Sequence, residues 1–261
     1  MIYSASRRTD MPAFFPDAIV DKVRRSRKLD AIVLWTKDIR NIIRHQGLAD
    51  VVARVPCVVQ YTVTGLAGTA WEPRVPPLAE QLPELAELAR RLPKGAVRWR
   101  FDPILPDPDV CARFRRCRES LQKALGGLDE VIASFPDPYR HAVVRAQAEG
   151  QTWPTPTRRE KEEILAFMVE EFQKGGTRAF SSLPVKLCCE PALLALPGVG
   201  RASCIDGALF AALYGLPLGD LEKDPGQRLA CGCVKSTDIG AYAMRCGHHC
   251  LYCYANTGVN G

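Results

Sequence analysis

The stretch DAIVLWTKD, residues 30–38, joins a five-residue apolar run to a polar ending, and this pairing sets the fold. A short run rich in β-branched and aromatic residues, with no polar alternation, reads as a strand buried on both faces, as in parallel sheets. Working outward, comparable runs occur as IYSAS at 2–6, CVVQYTV at 57–63, AVRWRF at 96–101, EVIASF at 130–135 and TRAFSSL at 177–183. Amphipathic stretches separate them at 15–26, 39–49, 78–91, 109–125, 138–149 and 157–174, the last opening with a Thr157/Glu160 capping-box spacing. Strand and helix therefore alternate, and the predicted fold is α/β: a parallel (β/α)6 partial TIM-like barrel of six strands.

Each run passes at once into a turn-forming or polar cluster: SRRTD, TKD, TGLAG, DPILPDP, PDP and LPVK. In a parallel barrel these clusters share the carboxyl-end face, where functional groups from several strands converge. Arg7, Arg8 and Asp10 follow the first strand, Thr36 and Lys37 the second, and Arg100 and Asp102 the fourth, while Gln60, Thr62 and Thr64 belong to the third. An arginine fork suits a carboxylate or phosphate. Arg7, Arg8, Lys37 and Arg100 are thus candidate anion or cofactor contacts, and Asp10 and Asp102 candidate acceptors for a hydroxyl or ammonium group. For each, a structural salt bridge at the barrel rim is the competing reading.

A chain of 261 residues with 47% hydrophobic and 25% charged residues can bury a full core as one integrated unit. The division expected within that unit is 1–187 for the barrel and 188–261 for a cysteine-rich extension over its mouth, with a short strand at 237–241. A net charge of +6 is too mild to establish a nucleic-acid partner, and the arginine runs at 24–25, 90–91, 113–118 and 158–159 read as solvated helix faces. Eleven cysteines behind an N-terminus lacking an apolar signal run point to a reducing, cytoplasmic setting where thiols serve metal or redox chemistry. No uncharged stretch has the length and composition of a membrane span, so no membrane partner is expected. Walker, HExxH and GxSxG motifs are missing.

The last sixteen residues hold Cys246, Cys250 and Cys253 in RCGHHCLYCYAN. Three thiolates on one short loop can bind three irons of a cubic cluster and leave the fourth iron open, whereas structural zinc takes four protein ligands. The adjacent His248 and His249 keep zinc as an alternative. The CxxxCxYCY pattern resembles the cluster loop of radical S-adenosylmethionine enzymes, and its ending is similar to the spore photoproduct lyase group. That resemblance implies a [4Fe-4S] cluster on Cys246, Cys250 and Cys253, S-adenosylmethionine chelated by the open iron, and Tyr252 beside the adenine. It implies an enzyme that cleaves the sulfonium reductively to a 5′-deoxyadenosyl radical acting on a small-molecule or nucleic-acid substrate, with an electron donor such as flavodoxin or ferredoxin.

WTKD at 35–38 and RFDPIL at 100–105 resemble strand ends of the same group, and their order along the chain agrees. The cluster loop departs from the pattern, because it follows the first strand there and comes last here. A circular permutation, with the preceding strand near 238–243, reconciles the two. The chain is also similar to an uncharacterised bacterial domain-of-unknown-function family combining SASRRTD, WR[FY]DP and a C-terminal CxxxCxYCYAN. That pattern adds Cys189, Cys204, Cys231 and Cys233, which form either a second centre, a [4Fe-4S] cluster or zinc, or buried free thiols. Cys188 is a substitute for Cys189, and Cys57, Cys111 and Cys117 fall inside predicted strands or helices. The rival function is a non-radical iron–sulfur or zinc protein serving as a nucleic-acid-binding or redox-sensing module.

Overall fold

The computed structural model describes residues 1–174, 183–218 and 221–256. Its strands are β1 (Ile2–Ala5), β2 (Ala31–Thr36), β3 (Cys57–Thr62), β4 (Val97–Phe101), β5 (Val131–Ala133), β6 (Val185–Leu187), β7 (Val199–Arg201) and β8 (Thr237–Asp238). They form one sheet in the order β7-β6-β5-β4-β3-β2-β1-β8, and every pairing is parallel. Helices α1 (Met11–Phe14), α2 (Pro16–Arg24), α3 (Arg40–Arg44), α4 (Gln46–Arg54), α5 (Leu82–Arg91), α6 (Val110–Leu125), α7 (Arg140–Ala148), α8 (Arg158–Lys174) and α9 (Gly207–Tyr214) complete it. Among the described residues, no helix is long and apolar enough to cross a membrane.

Side chains alternate across the strands and so divide the core into two layers. Tyr3, Leu34, Val59, Tyr61, Trp99, Phe101, Val131 and Leu187 point to the side where helices supply Ile19, Leu48, Leu88, Phe114, Leu121 and Met168. The opposite face, with Ile2, Val33, Val58 and Ile132, is covered by Ala202, Cys204, Ile205, Phe210, Leu218, Cys231 and Cys233. The cysteine-rich segment is thus the second wall of the sheet, and it also supplies both edge strands.

Several expectations change. Among the described residues the sheet has eight strands, where six barrel strands and a short one at 237–241 were expected; β8 is that short strand, and the bonded order is linear, with β7 and β8 at the two margins. The expected strand at 177–183 lies, except for Leu183, outside the described residues. The strand that pairs with β5 is Val185–Leu187, in the LPVK cluster read as a turn, because two apolar residues flank Lys186 and both are buried. The helix expected at 39–49 is two helices, broken at His45, whose extended backbone lets its Nδ1 accept from Leu48 N at 3.2 Å. The arginine run in α6 is only partly solvated. Arg113 and Arg118 are buried, Arg113 on the carbonyls of Thr64 and Leu105 and Arg118 over the Phe172 ring. The Thr157/Glu160 box forms as expected, with Thr157 N donating to Glu160 at 2.7 Å and Glu160 N to Thr157 Oγ1 at 3.3 Å.

Helix α9 packs within the second wall through a close backbone approach. Asp206 caps it by accepting from Leu209 N at 3.1 Å, and a Cβ on Gly207 would stand 2.0 Å from the Leu218 carbonyl oxygen. Gly207→Ala should therefore destabilise the protein by about 1–3 kcal/mol, since the Leu218 segment must shift to relieve the clash. Equilibrium urea unfolding checks this, and an unchanged midpoint would refute the close contact.

Candidate functional site

The carboxyl end of β8 lies beside that of β1, and Asp238 ties them together. Its carboxylate accepts from Ser6 Oγ at 2.6 Å, Arg7 N at 3.2 Å and Gly240 N at 3.0 Å. From there the chain runs into the cysteine loop, over the ends of β1, β2 and β3. Gly247 passes so close to the Phe14 ring that a Cβ would meet it at 2.4 Å.

Two buried acids fasten this loop. Asp10, which follows β1 and caps α1, accepts from Ala13 N at 3.1 Å, Thr36 Oγ1 at 3.0 Å and Lys37 N at 2.7 Å. Its Oδ2 also lies 2.9 Å from Nε2 of buried His248, whose Nδ1 faces the Arg74 carbonyl at 3.4 Å. Glu72 is 1% exposed and accepts from Lys37 Nζ at 2.8 Å, Thr64 Oγ1 at 2.6 Å and the Tyr252 hydroxyl. Burial opposes the charge on Glu72, yet Lys37 and the two hydroxyls outweigh it and hold the carboxyl below its usual range. Burial likewise opposes the charge on Lys37, and Glu72 more than restores it.

Further donors grip the loop backbone. Arg145 of α7 donates to the carbonyls of Asn256 at 2.7 Å, Leu251 at 2.8 Å and Cys253 at 2.8 Å. His141 Nε2 lies 2.9 Å from the Tyr254 carbonyl, and the Tyr254 hydroxyl donates to the Arg7 carbonyl at 2.7 Å. Within this cradle each of the three thiols of Cys246, Cys250 and Cys253 interacts electrostatically with the other two. Burial pushes Cys246 up to about 11 and Cys250 well above the ordinary thiol value, so both are protonated until a cation displaces the proton.

The residues singled out from sequence thus divide. Lys37, Asp10 and Tyr252 turn towards protein partners and anchor the loop; Tyr252 spends its hydroxyl on Glu72 and carries Lys37 Nζ 5.5 Å from its ring centroid. Arg8 donates to the Gly240 carbonyl at 3.0 Å and lies over Tyr242. Asp102 accepts from Arg100 and from Ser134. Arg7 and Arg100 both stack on Trp35, at 5.2 and 5.1 Å from its ring, and Arg7 Nη2 is buried without a hydrogen-bond partner. Trp35 itself donates from Nε1 to Ser4 Oγ at 3.0 Å.

A second group of thiols, Cys188, Cys189, Cys204, Cys231 and Cys233, gathers on the other face of the sheet. Contact between Cys188 and Cys189 lowers Cys189 and raises Cys188, and a hydrogen bond from Cys233 lowers Cys231 to about 7. Cys57, Cys111 and Cys117 stay apart in β3 and α6, and burial raises all three. Sequence reasoning missed Glu72, Trp35 as a stacking platform, and Arg145. Glu72 is a single acid in the loop after β3, and nothing local marks it.

The family model described as Domain of unknown function (DUF1848) matches residues 20–255. The chain belongs to this family. The match takes in β2 through the cysteine loop, and with them Lys37, Glu72, both thiol groups and the anchors on α7. No curated protein and no solved structure matches the chain.

Proposed function

We propose that this DUF1848 protein is a radical S-adenosylmethionine enzyme similar to the spore photoproduct lyase group, its sheet curved into a partial βα barrel with the cysteine loop at the mouth. The observation that carries the reading is a loop bearing Cys246, Cys250 and Cys253 that His248 and Tyr252 fasten over the carboxyl ends of β1 to β3; among the described residues no three metal-binding side chains surround one point, so a cluster would draw these sulfurs together. The parallel pairing of β8 with β1 supports a circular permutation, since β8 then stands where the strand before the cluster loop belongs.

The donor set fits a [4Fe-4S] cluster. Three cysteines serve three irons, and both ring nitrogens of His248 already face oxygen atoms, so this histidine is poorly placed to close a zinc tetrahedron. The chemistry supplied when the cofactors are bound is one-electron cleavage of the sulfonium to methionine and a 5′-deoxyadenosyl radical. The chain itself positions the loop through Asp10 and Glu72 and shields it with Trp71, Leu251 and Trp153. Eleven free cysteines support a cytoplasmic setting with an electron donor of the flavodoxin or ferredoxin kind.

Protein reconstituted anaerobically with iron and sulfide should form 5′-deoxyadenosine from S-adenosylmethionine and dithionite, and Cys250→Ala should form none. A reconstituted protein that retains zinc at stoichiometry and cleaves no S-adenosylmethionine would overturn the reading in favour of a non-radical metal module.

A further inference from the structure

Cys204 and the CGC segment Cys231–Cys233 come from strands of chain almost thirty residues apart, and a glycine makes their meeting possible. A Cβ on Gly232 would stand 2.5 Å from Ser203 Oγ and 2.7 Å from the Ala202 carbonyl oxygen, so only glycine lets the two backbones touch. Ser203 Oγ then donates to the Gly232 carbonyl at 2.9 Å and locks the contact. Cys204, Cys231 and Cys233 are all 5% exposed or less, and Cys188 and Cys189 pack against them from the end of β6.

Hydrogen-bond donors surround the sulfurs. Backbone N–H groups point at two of the sulfurs, Ile205 N at Cys233 Sγ (3.4 Å) and Cys233 N at Cys231 Sγ (3.5 Å), an arrangement that stabilises metal-bound sulfur. Arg100 Nη1 donates to Cys204 Sγ at 2.8 Å. Arg7 carries a buried, partnerless Nη2 and interacts with Cys204, Cys231 and Cys233. Two guanidiniums buried against a thiol group need negative charge to offset their desolvation. Asp102 already pairs with Arg100, so the net charge of about −2 on four thiolates around a zinc ion or a [4Fe-4S] core is offset by the two arginines in part.

From this geometry we infer that Cys204, Cys231 and Cys233, with the vicinal pair Cys188–Cys189 supplying the fourth sulfur, form a second, closed thiolate metal centre against the inner face of the sheet. The centre stands apart from the radical reading, because it uses none of the loop cysteines. Cys188 and Cys189 pack with Cys204, Cys231 and Cys233 in one buried cluster. Among the described residues, no three metal-binding side chains already surround one point, so binding must draw the sulfurs together. The centre's ion or cluster is a resident group with no open coordination position, which separates its role from that of the loop.

The test uses the full chain carrying Cys246→Ala, Cys250→Ala and Cys253→Ala, which removes the loop centre and any cleavage of S-adenosylmethionine with it. Prepared anaerobically and offered iron with sulfide, or zinc, in separate arms, it should keep either a sulfide-containing iron chromophore or about one zinc per chain. Adding Cys188→Ser with Cys189→Ser, or Cys231→Ser with Cys233→Ser, should abolish that retention. Chelation should also lower the thermal midpoint of the triple variant. The inference falls if the folded triple variant, verified by circular dichroism, binds neither metal, or if retention survives both cysteine-pair substitutions. Failure of S-adenosylmethionine cleavage in the wild-type protein with retention in the triple variant would sink the radical reading alone.

Discussion

Glu72→Ala is expected to cost about 3–5 kcal/mol of stability, the usual penalty for leaving one member of a buried ion pair without its partner. Lys37 would remain as a buried cation, and the hydroxyls of Thr64 and Tyr252 would lose their acceptor at the same stroke. Because Tyr252 belongs to the cysteine loop, the loop should come away from β3, and metal retention by Cys246, Cys250 and Cys253 should fall with it. Chemical denaturation and iron content read the two effects separately. A variant within 0.5 kcal/mol of wild type would mean that the acid does not hold the loop.

The same carboxylate gives a pH signature. Its folded pKa lies below the ordinary 4.5, so its contribution is fully present above that value and is lost as pH falls through the folded pKa. Wild-type stability should therefore drop more steeply below pH 4.5 than that of Glu72→Gln, which has no charge to lose there. Parallel acid titrations of the two proteins that fell with the same slope would contradict the assignment.

Asp10→Ala is the second large effect, expected at about 3 kcal/mol because several hydrogen bonds to one charged, buried acceptor vanish together. The substitution removes the cap of α1, uncouples Thr36 and the Lys37 amide from β1, and deprives His248 of its partner. Asp10→Asn keeps the shape and one acceptor oxygen, so it should recover part of the stability while still weakening the hold on His248. Thermal melts of both variants, with iron retention measured alongside, provide the check. Equal losses in the two would point to charge alone, and no loss in either would remove Asp10 from the anchoring scheme.

What could be read from sequence was what is local. The run DAIVLW at residues 30–35 is β2 shifted by one residue, to Ala31–Thr36, and the cysteine spacing is close enough along the chain to be a unit before any folding is known. Strand β7 escaped notice because Val199, Gly200 and Arg201 carry no run of their own and become a strand only by pairing with β6. The anchors escaped for a related reason. Glu72 meets Tyr252 across 180 residues and Arg145 meets Leu251 across 106, distances over which neither periodicity nor spacing carries information. Lys37 and Tyr252 show what the fold adds: both stood out in the sequence, and both meet Glu72, which did not.

The junction of β1 with β8 bears on how the molecule comes together. Ser6 and Asp238 are 232 residues apart, and closing so long a loop costs about 5 kcal/mol of chain entropy before any bond is gained. The remaining strands pair with near neighbours in the chain and can assemble without it. The thiol-bearing loop is therefore expected to dock late, onto a sheet already built, and to meet Asp10 and Glu72, the acids that fasten it, only once that platform exists.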